Sequence, residues 1–598
     1  MPVREYSVPA TVTVSDDARL SDAVVDNARE APSLVSFSRR TPSGWQDVTA
    51  AEFAAEVAGV ARGLVASGIG AGDRVGLMSR TRYEWTLFDY AIWTAGAVAV
   101  PIYETSSAEQ VQWILSDSGA VAVVVETGAH AMLLESVKPD VPAVRHVWTI
   151  DSDAVGLLTE AGGAVTADEL EARRTAVRAD DLATIIYTSG TTGRPKGCEL
   201  THRNLLFDVM TSNEGLGTLF NADGSTLLFL PLAHVFGRVI EIGAVLNRAR
   251  LGHCPDVKQL LPDLATFGPT FVLSVPRVFE KVYNSAKQKA YAEGKGRIFD
   301  VADRTAVAYS QALDTGGAPP GLRLRHAVFD RLVYGKLRAA LGGRCTAAIS
   351  GGAPLGARLG HFFRGVGITV YEGYGLTETS AGACVNLENA LKIGSVGRPL
   401  PGVQIRIADD GEMLLRGENV FRRYWHNETA SSEVLGADGW FRTGDLGAVD
   451  ADGFVTITGR KKEIIVTAAG KNVAPAVLED RLRAHALVSQ CMVVGDQQPF
   501  IGCLVTIDAE AFPAWKAAHG KPSSATVADL REDPDLRAEI QAAVDDANLA
   551  VSRAEAIKEF RILPVDFTEE GGELTPSLKL KRSVVLKEYA DEVAALYS

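Results

Sequence analysis

Positive charge is in short supply in this 598-residue chain: 60 Lys and Arg stand against 74 Asp and Glu, a formal net charge of −14. A field of that sign repels phosphate backbones, so nucleic acid is not an expected partner. Cysteine is scarce as well. Cys198, Cys254, Cys345, Cys384, Cys491 and Cys503 are scattered without a C-x-x-C pair, so neither a disulfide framework nor a thiolate zinc site is expected, and a reducing cytoplasm suits the chain. No apolar stretch is long enough to span a bilayer, and Met1 to Leu20 mix charges with polar residues, so neither a membrane span nor a secretory signal is expected. Membrane contact is then limited to the periphery, at the inner face. Internal repeats and low-complexity tracts are absent, as are G-x-S-x-G, H-E-x-x-H and G-x-G-x-x-G patterns. Those absences remove a nucleophile elbow, a zincin helix and a dinucleotide fingerprint.

What is present is ordinary globular material, 46% apolar and 22% charged, in a chain too long for a single core. Short, largely β-branched runs such as Val121 to Val125, Ala183 to Tyr187 and Phe271 to Val275 alternate with amphipathic stretches such as Ala51 to Ala66 and Ala108 to Ser116. That alternation predicts α/β layering. From Val403 the pattern shifts to closely spaced strands, Val403 to Ile407 and Glu412 to Arg416, around the turn Asp409-Asp410-Gly411. A second break falls at Gly459-Arg460-Lys461-Lys462, beyond which Cys491 to Val494 and Ile501 to Ile507 read as strands of a separate unit. The expected fold is therefore α/β: a large multi-layer N-terminal domain (1–459) with a β-rich closing sub-domain at about 390–459, and a small α+β C-terminal domain (460–598). The stretch Arg277 to Leu341 reads as helical, interrupted only at Thr315 to Pro320.

The sharpest local signal is Tyr187-Thr188-Ser189-Gly190-Thr191-Thr192-Gly193-Arg194-Pro195-Lys196-Gly197, directly after the apolar run Leu182 to Ile186. Glycines let backbone N–H groups converge on an anion, hydroxyls add donors without bulk, and Lys196 supplies a cation for a polyphosphate. It is not the Walker pattern, because Arg194-Pro195 separate Gly193 from Lys196 and Gly197 follows the lysine.

The full string resembles the signature loop of the adenylate-forming superfamily, which holds acyl-CoA synthetases, peptide adenylation domains and firefly-type luciferases. Ser350-Gly351-Gly352-Ala353-Pro354 resembles its adenine-side turn, and Tyr371-Glu372-Gly373-Tyr374-Gly375-Leu376-Thr377-Glu378-Thr379 its nucleotide and magnesium motif. Alone, a tyrosine among apolar neighbours is usually core and a glutamate near a loop usually solvated. In this order, the resemblance implies Tyr374 against adenine, Thr377 at the α-phosphate, and Glu378 with Thr188 as oxygen ligands for Mg2+. Trp440 to Gly447 resembles the motif whose carboxylate, here Asp445, accepts both ribose hydroxyls.

Gly459 to Val466 and Ala469-Gly470-Lys471-Asn472-Val473 resemble the family's hinge and the loop after it. The resemblance implies that Arg460 reaches the ribose, that Lys462 sits at the hinge of a mobile C-terminal domain, and that the loop at Gly470 lines a pantetheine channel in a second pose. Leu574-Thr575-Pro576-Ser577-Leu578-Lys579-Leu580-Lys581-Arg582 resembles the last motif, making Lys579 the catalytic lysine; Leu578 stands where glycine is commoner. His234, in Pro231 to Arg238, resembles the aromatic position that gates the second half-reaction.

The resemblance is strongest to bacterial long-chain fatty acid–CoA ligases, through Pro276-Arg277-Val278-Phe279-Glu280-Lys281 and Leu578 to Arg582. It implies attack of a fatty carboxylate on ATP, giving acyl-AMP and pyrophosphate, then transfer to coenzyme A, with Lys196, Glu378, Lys579 and His234 as catalytic residues and ATP, Mg2+ and coenzyme A as cofactor and co-substrates. A fatty acyl-AMP ligase that loads a carrier protein, a luciferase-type oxidoreductase and a non-catalytic binding protein stay open as alternatives.

Overall fold

The computed structural model describes residues 3–188, 194–575 and 579–598. A six-stranded sheet forms one layer of the large domain. Its strands His146–Thr149, Ala122–Val125, Arg74–Met78, Val98–Ile102 and Leu182–Thr188 run parallel in that order, and Lys196–Thr201 closes the edge antiparallel to Leu182–Thr188. A second layer begins with Phe271–Ser274, Ala347–Ser350 and Thr369–Tyr374, parallel, and continues into short antiparallel strands. Parallel strands buried on both faces need no alternation of apolar and polar residues. Continuous runs such as Ala122–Val125 are buried at every position accordingly. Against the six-stranded sheet, helix Tyr83–Thr94 is buried almost all round, with Trp85, Phe88 and Trp93 at 1% exposure or less. A helix apolar on every face belongs inside a large core.

The sub-domain read from Val403 onward is a five-stranded antiparallel sheet of Gln404–Ile407, Glu412–Arg416, Phe441–Val449 and Val455–Arg460, plus a strand the sequence reading missed. Glu5–Ser7, three residues long, pairs along Gln404–Ile407, and Arg4 bonds Asp409 across 405 positions of chain. Three residues carry too little periodicity to announce a strand.

The stretch 277–341 is helical but breaks in more places than expected. Helix Pro276–Ala292 ends at Glu293, and helix Gly296–Asp314 starts anew after Gly294 turns left-handed (φ 72°), a usual way to stop a helix. After helix Pro320–Phe329, a π turn at Asp330–Tyr334 precedes helix Gly335–Ala340.

In the small C-terminal domain, Val488–Val494 and Ile501–Ile507 are antiparallel and Ile557–Ile562 joins parallel. Cys491 and Val493 face one apolar cluster while Met492 and Val494 face another. Both faces of this strand are therefore covered, which is why it reads as one unbroken apolar run. Neither cluster contains a residue from before Ile465.

Candidate active site

A cavity of about 1560 Å³ lies where the two domains meet. Ordinary small-ligand pockets hold roughly 300–1,000 Å³, so this one has room for more than one substrate. Its floor is built by strand ends: Leu182–Thr188 delivers Thr188, and Ala347–Ser350 and Thr369–Tyr374, in register at Ile349 and Tyr371, deliver Gly351, Gly352, Gly373 and Tyr374. In open α/β sheets, ligands sit outside the carboxyl ends of the strands.

Thr188 is paired in register with Lys196 across the hairpin, and both line the cavity. Ser189, Gly190, Thr191, Thr192 and Gly193 lie outside the described residues. Pro195, at the return of the loop, accepts a hydrogen bond from Trp113 Nε1 (2.9 Å). The Lys196 ammonium sits 5.0 Å from the ring centre of Tyr424, whose hydroxyl donates to Glu378 Oε1 at 2.7 Å. Sequence reasoning missed Tyr424. The signal that finds it is tertiary: Cys198 bridges Tyr424 antiparallel, bringing residues more than two hundred apart to one edge.

Beyond Tyr374 the chain makes a tight turn. A β-carbon on Gly375 would fall 1.6 Å from the Ala381 carbonyl oxygen, so only glycine fits. Ser380 (φ 57°) and Ala381 (φ 94°) both take left-handed conformations that side chains disfavour, held by bonds from Ser380 N to Thr377 O and Ala381 N to Leu376 O, each 3.1 Å. Such strain persists only where the surroundings enforce it and concentrates at functional sites. It aims Thr377 and Glu378 into the cavity.

Asp445 accepts from the Tyr374 hydroxyl at 2.6 Å and pairs with Arg460 Nε at 3.3 Å, its register partner on the next strand. Burial pushes its carboxyl above the usual range, while Arg460 and the tyrosine hydroxyl pull the other way. His234 caps helix Val235–Leu246: its Nδ1 accepts the Phe236 N–H at 3.1 Å, leaving the ring proton on Nε2. Burial first, and the Lys579 charge next, hold its pKa down at about 3, so the ring is neutral at physiological pH.

Lys579 arrives from the small domain. Its Cε lies 3.8 Å from where a β-carbon on Gly352 would be, and its backbone N–H donates to Thr575 Oγ1 at 3.0 Å. Burial lowers its pKa, Arg460 adds to that, and Asp445 and Glu378 oppose it. Pro576, Ser577 and Leu578 lie outside the described residues. Arg460 and Lys462 also line the cavity. Four other expected residues do not. Ala353 and Pro354 lie off the lining, and Glu372 stands behind it, accepting the Leu355 N–H at 3.0 Å, with burial pushing its carboxyl up to about 7. Gly470 is exposed on the turn between Ile465–Val466 and Asn472–Val473.

Among the described residues no group of three or more His, Cys, Asp or Glu is placed to hold a metal ion. Glu378 and Thr188, both on the cavity lining, offer a sparse, all-oxygen donor set. That fits Mg2+, which binds through one or two carboxylates and completes its octahedron with waters and substrate phosphates.

The model for "AMP-binding enzyme" matches residues 22–425, and that for "AMP-binding enzyme C-terminal domain" matches residues 462–598. The chain belongs to the AMP-binding enzyme family. This AMP-binding enzyme is 57% identical to the long-chain-fatty-acid–CoA ligase FadD15 of Mycobacterium bovis, over the whole of both chains. It is 30% identical to the peroxisomal long chain acyl-CoA synthetase 7 of Arabidopsis thaliana, over 92% of this chain and 81% of that one. Among solved structures, the A-PCP didomain of a carboxylic acid reductase from Segniliparus rugosus, in complex with AMP, shares the fold of this AMP-binding enzyme. The TM-score is 0.74 at 21% identity, over 98% of this chain and 83% of that one.

Proposed function

We propose that the protein is a long-chain fatty acid–CoA ligase: it joins a fatty carboxylate to ATP, forming acyl-AMP and releasing pyrophosphate, then passes the acyl group to coenzyme A with release of AMP. The observation that carries this reading is the meeting in one cavity of Lys579 from the small domain with Thr188, Lys196, Glu378 and Asp445 from the large one, next to an apolar limb walled by Val209, Leu216, Phe220, Val239 and Ile240. Polyphosphate groups and an aliphatic tail are both accommodated.

In the first half-reaction negative charge builds on the phosphoryl oxygens, so catalysis is positioning plus electrostatics and needs no protein nucleophile. Lys579 orients the incoming carboxylate against the α-phosphate. Lys196, held over Tyr424, faces the departing pyrophosphate, and Thr377 donates to the α-phosphate. Asp445, steadied by Tyr374 and Arg460, accepts the ribose hydroxyls, and Tyr374 with Gly351 and Gly352 frames the adenine. Mg2+, when held by Glu378 with Thr188, neutralises phosphate charge. The neutral ring of His234 stands at the mouth of the acyl limb, where it gates thiol attack.

The roles divide at residues 459 and 460, with the sub-domain at about 390–459 carrying Asp445 and the segment 460–598 swinging about Lys462 between two poses. Lys579 in the cavity and Gly470 outside it support assignment of the present pose to adenylation. No helix among the described residues is long and apolar enough to cross a membrane; we place the protein in the cytoplasm, with membrane contact at most peripheral at the inner face.

The test is AMP release with ATP, Mg2+ and a panel of acids from short to long, with and without coenzyme A. AMP and acyl-CoA appearing together, best with long acids, is the expected result. Pyrophosphate without acyl-CoA would instead indicate an enzyme that loads a carrier protein.

A further inference from the structure

Residues 320–340 turn apolar side chains and positive charge outward together. Helix Pro320–Phe329 and the π turn Asp330–Tyr334 are held to the large domain by one side only. On that side the His326 ring stacks on Tyr309 at 3.8 Å and its Nε2 donates to the Gly365 carbonyl oxygen at 2.6 Å, while Phe329 and Val333 pack onto an apolar cluster that contains Tyr334. The other side carries Leu324, Val328 and Leu332, which are 70%, 48% and 55% exposed. They lie four residues apart and so form one row along the helix. Apolar residues exposed singly are ordinary; a row of three on one face is a candidate contact surface.

The row is set among cations. Arg323, Arg325, Arg331 and Lys336 are exposed around it, and none of the four is engaged in an ion pair among the described residues. The only acid in residues 320–340, Asp330, is already paired with Arg338 at 2.7 Å. Glu293, whose carboxyl feels the Lys336 charge, is paired with Lys295 at 2.7 Å. The face is thus apolar along its middle and positive at its edges, in a chain whose formal net charge is −14. That pattern is complementary to an anionic lipid surface: the Arg and Lys stems lie along the boundary with their charges at the phosphates, and the apolar row enters below them. A second copy of the chain is a poor occupant, since face-to-face contact would set these cations against their own kind.

We propose that this face, the row Leu324, Val328 and Leu332 with its flanking cations, is where the protein docks on an anionic membrane surface. The helix lies flat on the lipid with its three apolar side chains inserted, and nothing spans the bilayer. Because the rest of the molecule is acidic and is repelled by such a surface, the face sets the orientation of the docked enzyme as well as its affinity. The inference rests on the reading of peripheral contact above and gives that contact a place; it is independent of the chemistry in the cavity.

The full-length chain is sedimented with vesicles of phosphatidylcholine alone and of phosphatidylcholine mixed with phosphatidylglycerol, at low and high salt. The expected result is binding to the mixed vesicles at least about tenfold tighter than to phosphatidylcholine, and weaker as salt rises. Leu324→Ser with Leu332→Ser, and separately Arg325→Gln with Arg331→Gln, should each weaken that binding about tenfold. Neither pair should move the melting temperature, because all four side chains are exposed. Binding of both variants as tight as that of the parent chain overturns the inference and leaves peripheral contact to another face. Equal binding to the two kinds of vesicle overturns it as well, as does self-association without lipid that both variants abolish, which would give the face to a second copy. No sedimentation with either vesicle overturns this face and the peripheral reading together, whereas AMP release with fatty acids in solution tests the ligase reading on its own.

Discussion

Charge is used in opposite ways inside the large domain and along the seam between the domains. In the core, Arg238 and Asp89 are both wholly buried and joined by three contacts of 2.6 to 3.2 Å; a fourth bond runs from Arg238 to Thr184 at 2.6 Å. Trp85 and Trp93 face the guanidinium at 5.4 and 5.3 Å. At the seam, Arg277 pairs with Asp508 at 3.1 Å and Lys281 with Glu510 at 2.7 Å, with the second pair more than half exposed. The core pair cannot part without stranding a charge away from water. The seam pairs can trade each other for solvent at little cost. One arrangement fixes the helix that walls the acyl limb against the strand that leads to the phosphate loop, and the other suits a joint that must open.

The contrast is tested most severely by Arg238→Met, which leaves Asp89 unpaired at zero exposure. A loss of about 3–5 kcal/mol in the unfolding free energy of the large domain is expected in chemical denaturation; a loss under about 1 kcal/mol would mean the pair is not the anchor described. Next, Lys579→Ala removes a buried cation that the small domain brings into the cavity beside Gly352. Adenylation, read as pyrophosphate release, should fall about 10²–10³-fold, while thioester formation from supplied acyl-AMP survives. Equal loss of both half-reactions would end the division of labour between the domains.

Core histidines supply a smaller effect. His202, whose Nδ1 accepts the Leu20 N–H at 3.2 Å, and His253, bonded to Thr86, are each held near pKa 3 by burial. The unfolded chain, at about 6.5, binds more protons through the window between pH 6.5 and 3, so this contribution is intact above pH 6.5 and is lost as pH falls. Each should cost about 2 kcal/mol by pH 5. Denaturant titrations at pH 7 and 5 should show that loss, and His202→Gln should reduce it. The smallest effect belongs to the seam. Arg277→Ala or Lys281→Ala should change stability by less than about 1 kcal/mol and lower adenylation more than thioesterification; a large drop in melting temperature would show the seam to be structural rather than a joint.

Sequence pattern disclosed a good part of this. The run Leu182 to Ile186 ahead of the loop, and the two apolar strands of the small domain, are legible because parallel or doubly covered strands bury every side chain. Thr188, Lys196, Glu378, Asp445 and Lys579 were named from separate motifs, and the fold brings them to one cavity. Tyr424 was not legible, since a lone tyrosine in Phe421-Arg422-Arg423-Tyr424-Trp425 carries no period and reaches Glu378 only through a long-range bridge. Glu372 lies in the same strand as Tyr374 but is off the cavity lining, its carboxylate accepting the Leu355 N–H, a tertiary contact that the motif does not announce. The left-handed pair Ser380 and Ala381 is likewise a demand of tertiary packing that neither residue type advertises.

The strand Glu5–Ser7 has a bearing on how the chain is made. Arg4 and its partner Asp409 are separated by 405 positions, and ribosomes add about 5–20 residues per second. The first strand to emerge therefore waits on the order of tens of seconds for the edge it completes. Once made, Gln404–Ile407 finds that strand already waiting; without it, one side of its backbone would stay unpaired, the kind of edge that recruits other chains. Removing the first seven residues should leave that edge open for the life of the molecule, so that the cost appears in the yield of soluble protein before it appears in the rate of any reaction.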